Sequence, residues 1–486
     1  MKMLIDSRWV DAESGKTTDI VEPAGGKHID TVPEGAASDM KKAIQAAVIA
    51  KRRMRSFPAH ARARVLSDVA DRMEESCEDL ARLLARENGK PLNQTREEVK
   101  CAARLFRGFG EEAKRLFGRT SPLDNVPGME SHFAMTIREP IGVVAAVVPF
   151  NYPVELYAHK VAPALAGGNA VVVKPPNECP LTLLKVAQML EDAGLPRGAH
   201  QMVTGRGSVV GTVLAESRDV DLITLTGSTT AGRDISRRAA ETLKRVYMEL
   251  GGNDPCIICE DADLERAAAA IIAGRLARGN GQICCAVKRV YVQESVAEKF
   301  ADILANESSK LKVGDPLRED TDVGPLINEE AAIGVEAAIQ DAVKRGGTVR
   351  AGGTRTGTFV EPTVVTGVVA GSQLLTEEIF GPVIPIVPFE TVDEAIELAN
   401  DSEYGLQGAV FTNNISTAMD VSHRLEVGGV VVNWSSAVRA ENLPFGGRKL
   451  SGNSVESIPE TIHEMTVPKS IILHDALAAF NSNAGV

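Results

Sequence analysis

The chain has 486 residues, enough for two or three domains, and its 44% hydrophobic and 24% charged residues are typical of a globular protein. Its formal net charge is −12, which argues against nucleic acid as the main partner because nucleic-acid-binding surfaces are usually basic. The charge does not restrict small substrates, since an acidic protein can still contain a cationic pocket.

The cysteines and the first residues bear on the cellular compartment. The chain has seven cysteines, an odd number in a long chain, whereas disulfide frameworks are typical of short secreted proteins. Residues 1–8 contain no apolar signal core, and the longest apolar run, residues 141–150, is too short to cross a bilayer. The sequence predicts a cytoplasmic protein without a membrane segment.

Helices are predicted for the first quarter of the chain. Across residues 38–118, apolar side chains recur at spacings of three and four, as they do on one face of a helix. The segment Asn88-Gly89-Lys90-Pro91 interrupts this pattern with residues that end one helix and precede the next. We therefore expect a set of amphipathic helices with a break at this point.

Strands and helices alternate after residue 140. Residues 142–148 form a continuous run of valine and alanine after a glycine, which is typical of a strand buried on both faces of a parallel sheet. The alternation predicts a doubly wound α/β domain, followed by a second α/β region from about Glu249 to residue 450. The other predicted elements are strands at 170–173, 201–204 and 221–226 and helices at 181–193, 208–216 and 231–243.

Two further segments have the pattern of edge strands. Residues 131–138 show rough period-two alternation, and residues 469–473 are rich in β-favouring side chains. We expect these segments to form edge strands that pair across subunits.

Cys284 and Glu249 are candidates for covalent catalysis. Cys284 closes the segment Gly281-Gln-Ile-Cys284, and Glu249 opens Glu249-Leu-Gly-Gly252. A thiolate attacks carbonyl carbons well when its pKa is lowered or a base is near. Either residue alone is weak support, because most free cysteines are small core residues and most glutamates are solvated. The order of the surrounding motifs decides between these interpretations.

Seven motifs occur in a characteristic order, and together they resemble the aldehyde dehydrogenase superfamily over essentially the whole chain. The resemblance implies an α/β fold with a Rossmann-type cofactor domain (1–118 and 139–249), an α/β catalytic domain (250–450) and a small β oligomerisation element (119–138 and 451–486). It also implies a homodimer or homotetramer. The motifs are Pro149-Phe-Asn-Tyr-Pro153, Val173-Lys-Pro-Pro176, Thr226-Gly-Ser-Thr-Thr-Ala-Gly232, Glu249-Leu-Gly-Gly252, Gly281-Gln-Ile-Cys284, Glu378-Ile-Phe-Gly-Pro382 and Pro444-Phe-Gly-Gly447.

The resemblance assigns roles to residues of these motifs. Cys284 matches the nucleophile, Glu249 the general base, and Asn151 the amide that holds the oxyanion together with the backbone N–H of Cys284. Lys174 matches the lysine beside the cofactor ribose and is grouped with the catalytic residues as well. The residues expected at the cofactor are Pro149, Phe150, Lys174, Asn177, Gly207, Gly227, Ser228, Gly232, Leu250, Glu378 and Phe380.

The implied cofactor is NAD or NADP. In this reaction a thiolate adds to the aldehyde, hydride passes to the nicotinamide, and activated water hydrolyses the resulting thioester. Asn177 stands where many NAD-preferring members have a glutamate, and a carboxylate there would repel the 2′-phosphate of NADP. NADP therefore stays open, because Lys174 offers a positive charge to that phosphate.

Two glycine-rich segments compete as the phosphate loop. The segment 227–232 lies between a predicted strand and a predicted helix, where helix N-terminal N–H groups favour phosphate. The segment 205–211 has one residue too many for G-x-G-x-x-G, and a plain turn describes it equally well. We favour the loop at Gly227.

The substrate residues follow from the most similar branch, the non-phosphorylating glyceraldehyde-3-phosphate and lactaldehyde dehydrogenases. Arg107, Arg439 and Tyr152 match positions that bind the hydroxylated or anionic end of a small aldehyde in that branch, although Arg107 also fits a solvated helix face. Ile283 replaces an arginine of the glyceraldehyde-3-phosphate enzymes. Because isoleucine donates no hydrogen bond to phosphate, we expect a small hydroxylated or carboxylate-bearing aldehyde.

Three alternatives stay open. Glyceraldehyde 3-phosphate is one substrate alternative, and a CoA-acylating semialdehyde dehydrogenase is a second reaction class, although relatives of that class lack the glutamate at position 249. A catalytically silent protein is the third, against which Cys284 and Asn151 both argue. The pair Cys256 and Cys259 lacks a partner pair with zinc spacing, so we expect a strand there and no metal.

Overall fold

The computed structural model describes residues 1–478 of the chain. The α-helices in this range are α1 Ala37–Ser56, α2 Ala59–Glu75, α3 Cys77–Asn88, α4 Leu92–Glu112, α5 Pro153–Ala166, α6 Leu181–Asp192, α7 Thr212–Glu216, α8 Thr229–Ala240, α9 Leu264–Ile271, α10 Glu294–Ser308, α11 Glu329–Lys344, α12 Gln373–Thr376, α13 Val392–Asn400, α14 Ile415–Arg424 and α15 Ile458–Glu464.

The strands are β1 Met3–Ile5, β2 Arg8–Val10, β3 Thr17–Val21, β4 His28–Pro33, β5 Thr120–Ser121, β6 Phe133–Pro140, β7 Val143–Val147, β8 Ala170–Lys174, β9 His200–Met202, β10 Leu222–Thr226, β11 Arg245–Glu249, β12 Asp254–Ile258, β13 Val287–Gln293, β14 Thr348–Ala351, β15 Arg355–Thr356, β16 Phe359–Val360, β17 Thr363–Thr366, β18 Val383–Phe389, β19 Tyr404–Gly405, β20 Gln407–Phe411, β21 Gly429–Val432, β22 Phe445–Gly446, β23 Arg448–Lys449, β24 Val455–Glu456 and β25 Thr466–Leu473.

The first large sheet has the strand order β11-β10-β7-β8-β9-β1-β2. Strands β7 to β11 are parallel, and β1 and β2 add an antiparallel edge. The chain passes from β7 outward through β8 and β9, then returns to the other side of β7 for β10 and β11. The order therefore reverses at β7, and ligands bind at such switch points of open α/β sheets. The predicted doubly wound domain is confirmed.

Helices α1 to α4 confirm the helical prediction for residues 38–118. Helix α3 ends at Gly89, whose φ of 86° is left-handed and whose N–H bonds to the carbonyl of Ala85. Pro91 then precedes α4. Glycine accepts the left-handed conformation that terminates a helix, and proline tolerates the first position of the next one. The predicted break therefore lies where the sequence indicated.

The predicted helix at 208–216 is only partly correct. Its second half is α7, but residues 207–211 form a wider π-type turn. Gly207 and Gly211 lie at the two ends of that turn, and glycine disfavours a regular helix because its backbone has the most conformational freedom to lose.

The second large sheet contains the strands of the second α/β region. Its order is β14-β17-β18-β13-β12-β20-β21, and all strands except β14 are parallel to their neighbours. The predicted strand at Cys256 and Cys259 is confirmed for the first of these residues, which lies buried in β12. Both thiols are free.

A small antiparallel sheet contains the two predicted edge strands. Its order is β25-β6-β5, with Thr466 opposite Pro140 and Leu473 opposite Phe133. The strands thus pair with each other within one chain. Strand β25 lies at an edge as predicted, but β6 lies between β25 and β5, so the prediction of an edge strand at residues 131–138 is wrong. Pairing across subunits stays a prediction. Within residues 1–478, no helix combines the length and the apolar character needed to cross a membrane.

Candidate active site

The carboxyl ends of four parallel strands converge on one cavity of about 400 Å³. Strands β7, β8, β10 and β11 end there because parallel neighbours present the same end to one edge of a sheet. The loop before β13 contributes Cys284 from the second region. The predicted site residues that line this cavity are Pro149, Phe150, Asn151, Lys174, Asn177, Gly227, Ser228, Glu249, Leu250, Cys284, Glu378 and Phe380.

The loop that carries Cys284 is held rigidly. Gly281 has φ 74°, and a Cβ atom there would lie 2.3 Å from the carbonyl carbon of Gly381, so a side chain does not fit. The buried Lys288 donates from Nζ to the carbonyl oxygen of Ile283 at 2.9 Å and to that of Cys284. These contacts fix the backbone on both sides of the Cys284 side chain.

The Cys284 thiol is the favoured form in this structure. A hydrogen bond with Cys285 and burial raise the pKa of Cys284 well above its ordinary value, and the charge of Lys288 only partly offsets this. The nucleophile therefore needs a proton acceptor within the cavity.

Glu249 can supply that acceptor. It is the last residue of β11 and only 2% exposed, and no described residue within 1–478 donates a hydrogen bond to either of its carboxylate oxygens. Burial, followed by the nearby Cys284 and Glu456, raises the pKa of Glu249 well above the usual glutamate value, although Arg439 counteracts this. A raised pKa suits a group that takes up a proton near neutral pH.

Asn151 lies opposite on the segment after β7. Asn88 donates from Nδ2 to the carbonyl of Phe150 at 2.6 Å, and Lys90 donates from Nζ to the carbonyl of Asn151 at 2.8 Å. Lys90 is itself paired with the buried Glu98. The Asn151 amide, which lines the cavity, is thus carried by a fixed backbone, as an oxyanion donor requires.

The β10–α8 connection forms the other end of the cavity. Ser228 caps α8, because its hydroxyl accepts from the N–H of Ala231 at 3.2 Å. Both residues line the cavity, so the N-terminus of the helix faces it and favours phosphate. The hydroxyl of Thr226, also in the lining, is buried without a hydrogen-bond partner among the described residues. These features fit a dinucleotide.

Lys174 and Glu378 carry charge to the same cavity. Lys174 donates from Nζ to Oδ1 of Asn177 at 3.0 Å, and burial lowers the pKa of Lys174. Glu378 accepts from the N–H of Gly252 at 3.0 Å and lies 3.5 Å from Nζ of Lys288. Lys288 therefore connects Glu378 to the backbone of the cysteine loop.

Two predicted cofactor residues lie apart from this cavity. Gly232, in the first turns of α8, lines a separate cavity of about 330 Å³, and a Cβ atom there would lie 2.8 Å from the δ carbons of Leu250. Gly232 thus allows α8 to approach Leu250. Gly207 is exposed at the start of the π-type turn after β9 and is absent from the cavity lining.

A second cavity, of about 500 Å³, lies against Tyr152 and contains a set of charged side chains. Arg278 donates from Nε to the Tyr152 hydroxyl at 3.2 Å and from Nη1 to the carbonyl of Ala437 at 2.7 Å. Arg439 pairs with Glu456 at 2.6 Å. The charges of Arg439 and Glu249 act on each other's pKa, so this cavity lies within electrostatic reach of the first.

Two predicted substrate residues lie outside the linings of both cavities. Arg107 forms ion pairs at 2.8 Å with both Asp71 and Glu74 of α2 and takes no part in the cavity lining. It is a surface arginine, and Arg104, three residues earlier on α4, reaches the second cavity instead. Ile283 is part of the hydrophobic core and also lies outside the lining of the second cavity. Tyr152 and Arg439 do line it, as expected.

The fold also brings together three potential metal ligands that are distant in sequence. The ligating atoms of His132, His474 and Asp475 lie within 4.8 Å of one another on the β6–β25 sheet. His474 and Asp475 are exposed, and the linings of the two cavities contain none of the three. The sequence spacing of the histidines did not indicate this group.

Known proteins are similar to this chain over most of its length. The model of the aldehyde dehydrogenase family matches residues 9–471. A 3-sulfolactaldehyde dehydrogenase of Priestia megaterium is 41% identical over 436 residues, 90% of each chain. A lactaldehyde dehydrogenase of Methanocaldococcus jannaschii is 38% identical over 475 residues, covering 97% of this chain and 100% of the relative. The NAD+ complex of a Bacillus cereus aldehyde dehydrogenase superposes with a TM-score of 0.94 at 35% identity, covering 98% and 96% of the two chains.

The chain belongs to the aldehyde dehydrogenase family. Its reaction is the oxidation of an aldehyde to a carboxylic acid with NAD or NADP. The predicted fold, with a Rossmann-type sheet and a second α/β unit, is confirmed, and so is the resemblance to the lactaldehyde branch.

Three residues that shape this family site escaped the sequence analysis. Arg278 lies six positions before Cys284, Lys288 four positions after it, and Glu155 four positions after Asn151. Their proximity to the motifs was the available signal. A charged residue in such a segment is equally compatible with the surface. Only the burial of Lys288 and Glu155 and the contacts of Arg278 with Tyr152 and Ala437 separate the two interpretations.

Proposed function

We propose that the protein oxidises a small aldehyde that carries a hydroxyl or anionic group, through a thioester on Cys284 that water hydrolyses. The observation that carries this proposal is a single cavity in which the Cys284 thiol, the Asn151 amide and the unpartnered carboxyl of Glu249 meet. Nucleophile, oxyanion donor and base are the groups that acyl transfer through a thioester requires.

Each protein group has a distinct task in this mechanism. Cys284 passes its proton to Glu249, which releases it to solvent, and the sulfur adds to the aldehyde carbon while the developing oxyanion accepts from the Asn151 amide and the N–H of Cys284. A bound nicotinamide supplies the oxidant for this chemistry. Glu249 then takes a proton from the water that attacks the thioester, and the carboxylate leaves. Losing one oxyanion donor typically costs about 3–4 kcal/mol of barrier.

The cofactor is held at the carboxyl ends of β7, β8 and β10 in this proposal. The N-terminus of α8, with Gly227 and Ser228, receives the pyrophosphate, and Lys174 and Asn177 lie at the ribose. Both Lys174 and the adjacent Glu178 line the cavity. Their opposite charges favour different cofactors, because lysine attracts the 2′-phosphate of NADP and a carboxylate repels it.

The second cavity is the proposed site for the rest of the substrate. Arg278 is an exposed residue of the cavity lining and forms no hydrogen bond from Nη2 with any residue in 1–478. Its free N–H groups suit a carboxylate or sulfonate. The names of the relatives from Priestia megaterium and Methanocaldococcus jannaschii describe small hydroxylated aldehydes, one of them sulfonated, which supports this substrate class.

Domain roles, assembly and location complete the proposal. We assign residues 1–118 and 139–249 to the cofactor domain, 250–450 to the catalytic domain, and 119–138 and 451–486 to oligomerisation into a homodimer or homotetramer. All seven cysteines are free, which supports a reducing cytoplasm.

A panel of aldehydes assayed separately with NAD and NADP tests the function. Lactaldehyde, succinate semialdehyde, glyceraldehyde 3-phosphate and propanal are compared by kcat/KM, with and without added CoA. We expect the hydroxylated or carboxylated aldehydes to exceed propanal and the product to be the free acid. Cys284→Ala should abolish turnover while retaining cofactor binding. Turnover by this variant, or a strict requirement for CoA, contradicts the proposal.

A further inference from the structure

Glu155 is a buried carboxylate that the proposed chemistry does not use. It lies in the first turn of α5, is 8% exposed, and lines the second cavity together with Tyr152 and Arg278. Among residues 1–478, none donates a hydrogen bond to its side chain or forms an ion pair with it. Buried carboxylates are almost always paired, so a vacant acceptor facing a cavity points to a ligand donor.

Two guanidinium groups flank Glu155 without closing on it. Tyr152 and then Glu155 raise the pKa of Arg278 against the effect of burial. Burial lowers the pKa of Arg439, and the negative charges of Glu456 and Glu155 together raise it. Arg278 is engaged by Tyr152 and Ala437, and Arg439 by Glu456. The guanidinium groups are therefore held by other partners, and the Glu155 carboxylate has no partner among the described residues.

The charges around Glu155 indicate what the ligand carries. Arg278, Arg439 and Lys160 are positive, while Glu155 and Glu456 are negative, and Lys160 and Arg439 both pair with Glu456. The cavity lining also contains Glu98, which pairs with Lys90, and Glu97, which pairs with Arg104. Among the described residues, Arg278 and Glu155 are the charges of this lining that form no ion pair. A substrate with an anionic group for Arg278 and a hydroxyl for Glu155 satisfies both.

We propose that Glu155 is a specificity-determining residue whose carboxylate accepts a hydrogen bond from a hydroxyl group of the substrate, while Arg278 binds the anionic group. This inference rests on the proposed function and assigns the two substrate groups of that proposal, the hydroxyl and the anionic group, to separate side chains. The first turn of α5 also stabilises a carboxylate, because the N-terminal end of a helix carries partial positive charge.

Two matched pairs of substrates test the assignment. Lactaldehyde and propanal differ by one hydroxyl, and succinate semialdehyde and butanal differ by one carboxylate. We expect Glu155→Ala to lower kcat/KM about 10- to 100-fold for lactaldehyde and less than about 3-fold for propanal, as loss of a charge-assisted hydrogen bond predicts. Glu155→Gln should lower kcat/KM for lactaldehyde about 5- to 10-fold and leave propanal unchanged, because the amide oxygen still accepts a neutral hydrogen bond. Arg278→Met should instead lower kcat/KM for succinate semialdehyde more than for butanal.

Control variants come from the surface ion pair between α10 and β14. Glu298→Gln and Arg350→Ala remove the same side-chain types outside both cavities, and neither should alter the two substrate ratios. Thermal melts and cofactor binding verify folding, and the near-isosteric Glu155→Gln carries the test if Glu155→Ala does not fold.

The outcomes separate this inference from the function on which it rests. If the wild-type enzyme prefers lactaldehyde to propanal and the Glu155 variants retain that preference, Glu155 is not a specificity residue although the function holds. An equal loss for both aldehydes also overturns the assignment, because it indicates a structural role. If the wild-type enzyme oxidises none of the four aldehydes, the proposed function fails and this inference fails with it.

Discussion

At the scale of single residues, Glu249 and Cys284 have environments that suppress their charged forms. Burial raises the pKa of Glu249, and burial together with Cys285 raises that of Cys284. Both shifts favour the protonated form, so the reaction requires a proton transfer at this pair. Because Glu249 has no hydrogen-bond partner among residues 1–478, its carboxyl is free to serve the thiol first and the hydrolytic water later.

Glu249→Gln tests the later of these roles. The amide cannot accept a proton from water, so steady-state turnover should fall about 10²- to 10⁴-fold. A burst of reduced cofactor, equal to about one per active site, should persist but be slower, because the thiol loses the same acceptor. Stopped-flow absorbance of the reduced nicotinamide measures both phases. If steady-state turnover is as fast as the first turnover, so that no burst is visible, Glu249 has no separate role in hydrolysis.

The pH dependence of the wild type follows from the same pKa shift. The carboxylate is the basic form, and its fraction grows as the pH rises through the pKa of Glu249. Since that pKa is raised above the ordinary value of about 4.3, steady-state turnover should rise with pH on the alkaline side of this value. The same limb should disappear in Glu249→Gln.

At the scale of elements, the sequence predicted the strands and helices better than their connections. The valine-rich run at 142–148 and the strand before Gly227 are correct because β-branched runs bounded by glycine have few alternatives. The directions of the side chains on α4, in contrast, could not be predicted from the sequence. Arg104 and Arg107 lie on adjoining parts of one helix surface, and the acidic residues of α2 hold only Arg107. Sequence periodicity does not contain that tertiary contact.

The loop before β13 offers a test at this scale. In Gly281→Ala the added methyl group meets the backbone of residue 381 at a left-handed φ, so the loop must shift and carry Cys284 away from Asn151. We expect loss of about 1–3 kcal/mol of stability and a decrease in kcat of at least about 100-fold, since small displacements of reacting groups are costly. Thermal melts and steady-state kinetics measure the two effects.

Gly334→Ala is the matched control for this substitution. Gly334 lies exposed in α11, with no atom within 4 Å of the Cβ position, and alanine favours helix by up to about 1 kcal/mol. The variant should be as active as the wild type and equally or more stable. If both substitutions leave activity unchanged, the rigidity of the cysteine loop does not matter for catalysis.

At the scale of the whole molecule, the site depends on the meeting of two α/β units. Glu249 ends the last strand of the first sheet, and Cys284 precedes β13 of the second. Motif order placed both residues in one family site, but the distance between the units is a tertiary property. The vacancy of the Glu155 carboxylate likewise emerges only when α4, α5 and the Arg278 segment pack around one cavity.

The β5–β6–β25 sheet leads to the final prediction. Strand β25 is at the edge of that sheet, and Ile472 and Leu473 near its end are 56% and 44% exposed. An unpaired edge with exposed apolar side chains favours association with another chain. We expect the wild type to be a dimer or tetramer by light scattering after size exclusion. A double Ile472→Lys and Leu473→Lys variant should shift the protein toward smaller species, because buried ammonium groups oppose assembly.

The control is Ile333→Lys, on the exposed surface of α11 with 49% exposure. It adds a similar charge elsewhere and should leave the assembly intact. A wild-type monomer, or equal effects of the two changes, would contradict a role for β25 in assembly.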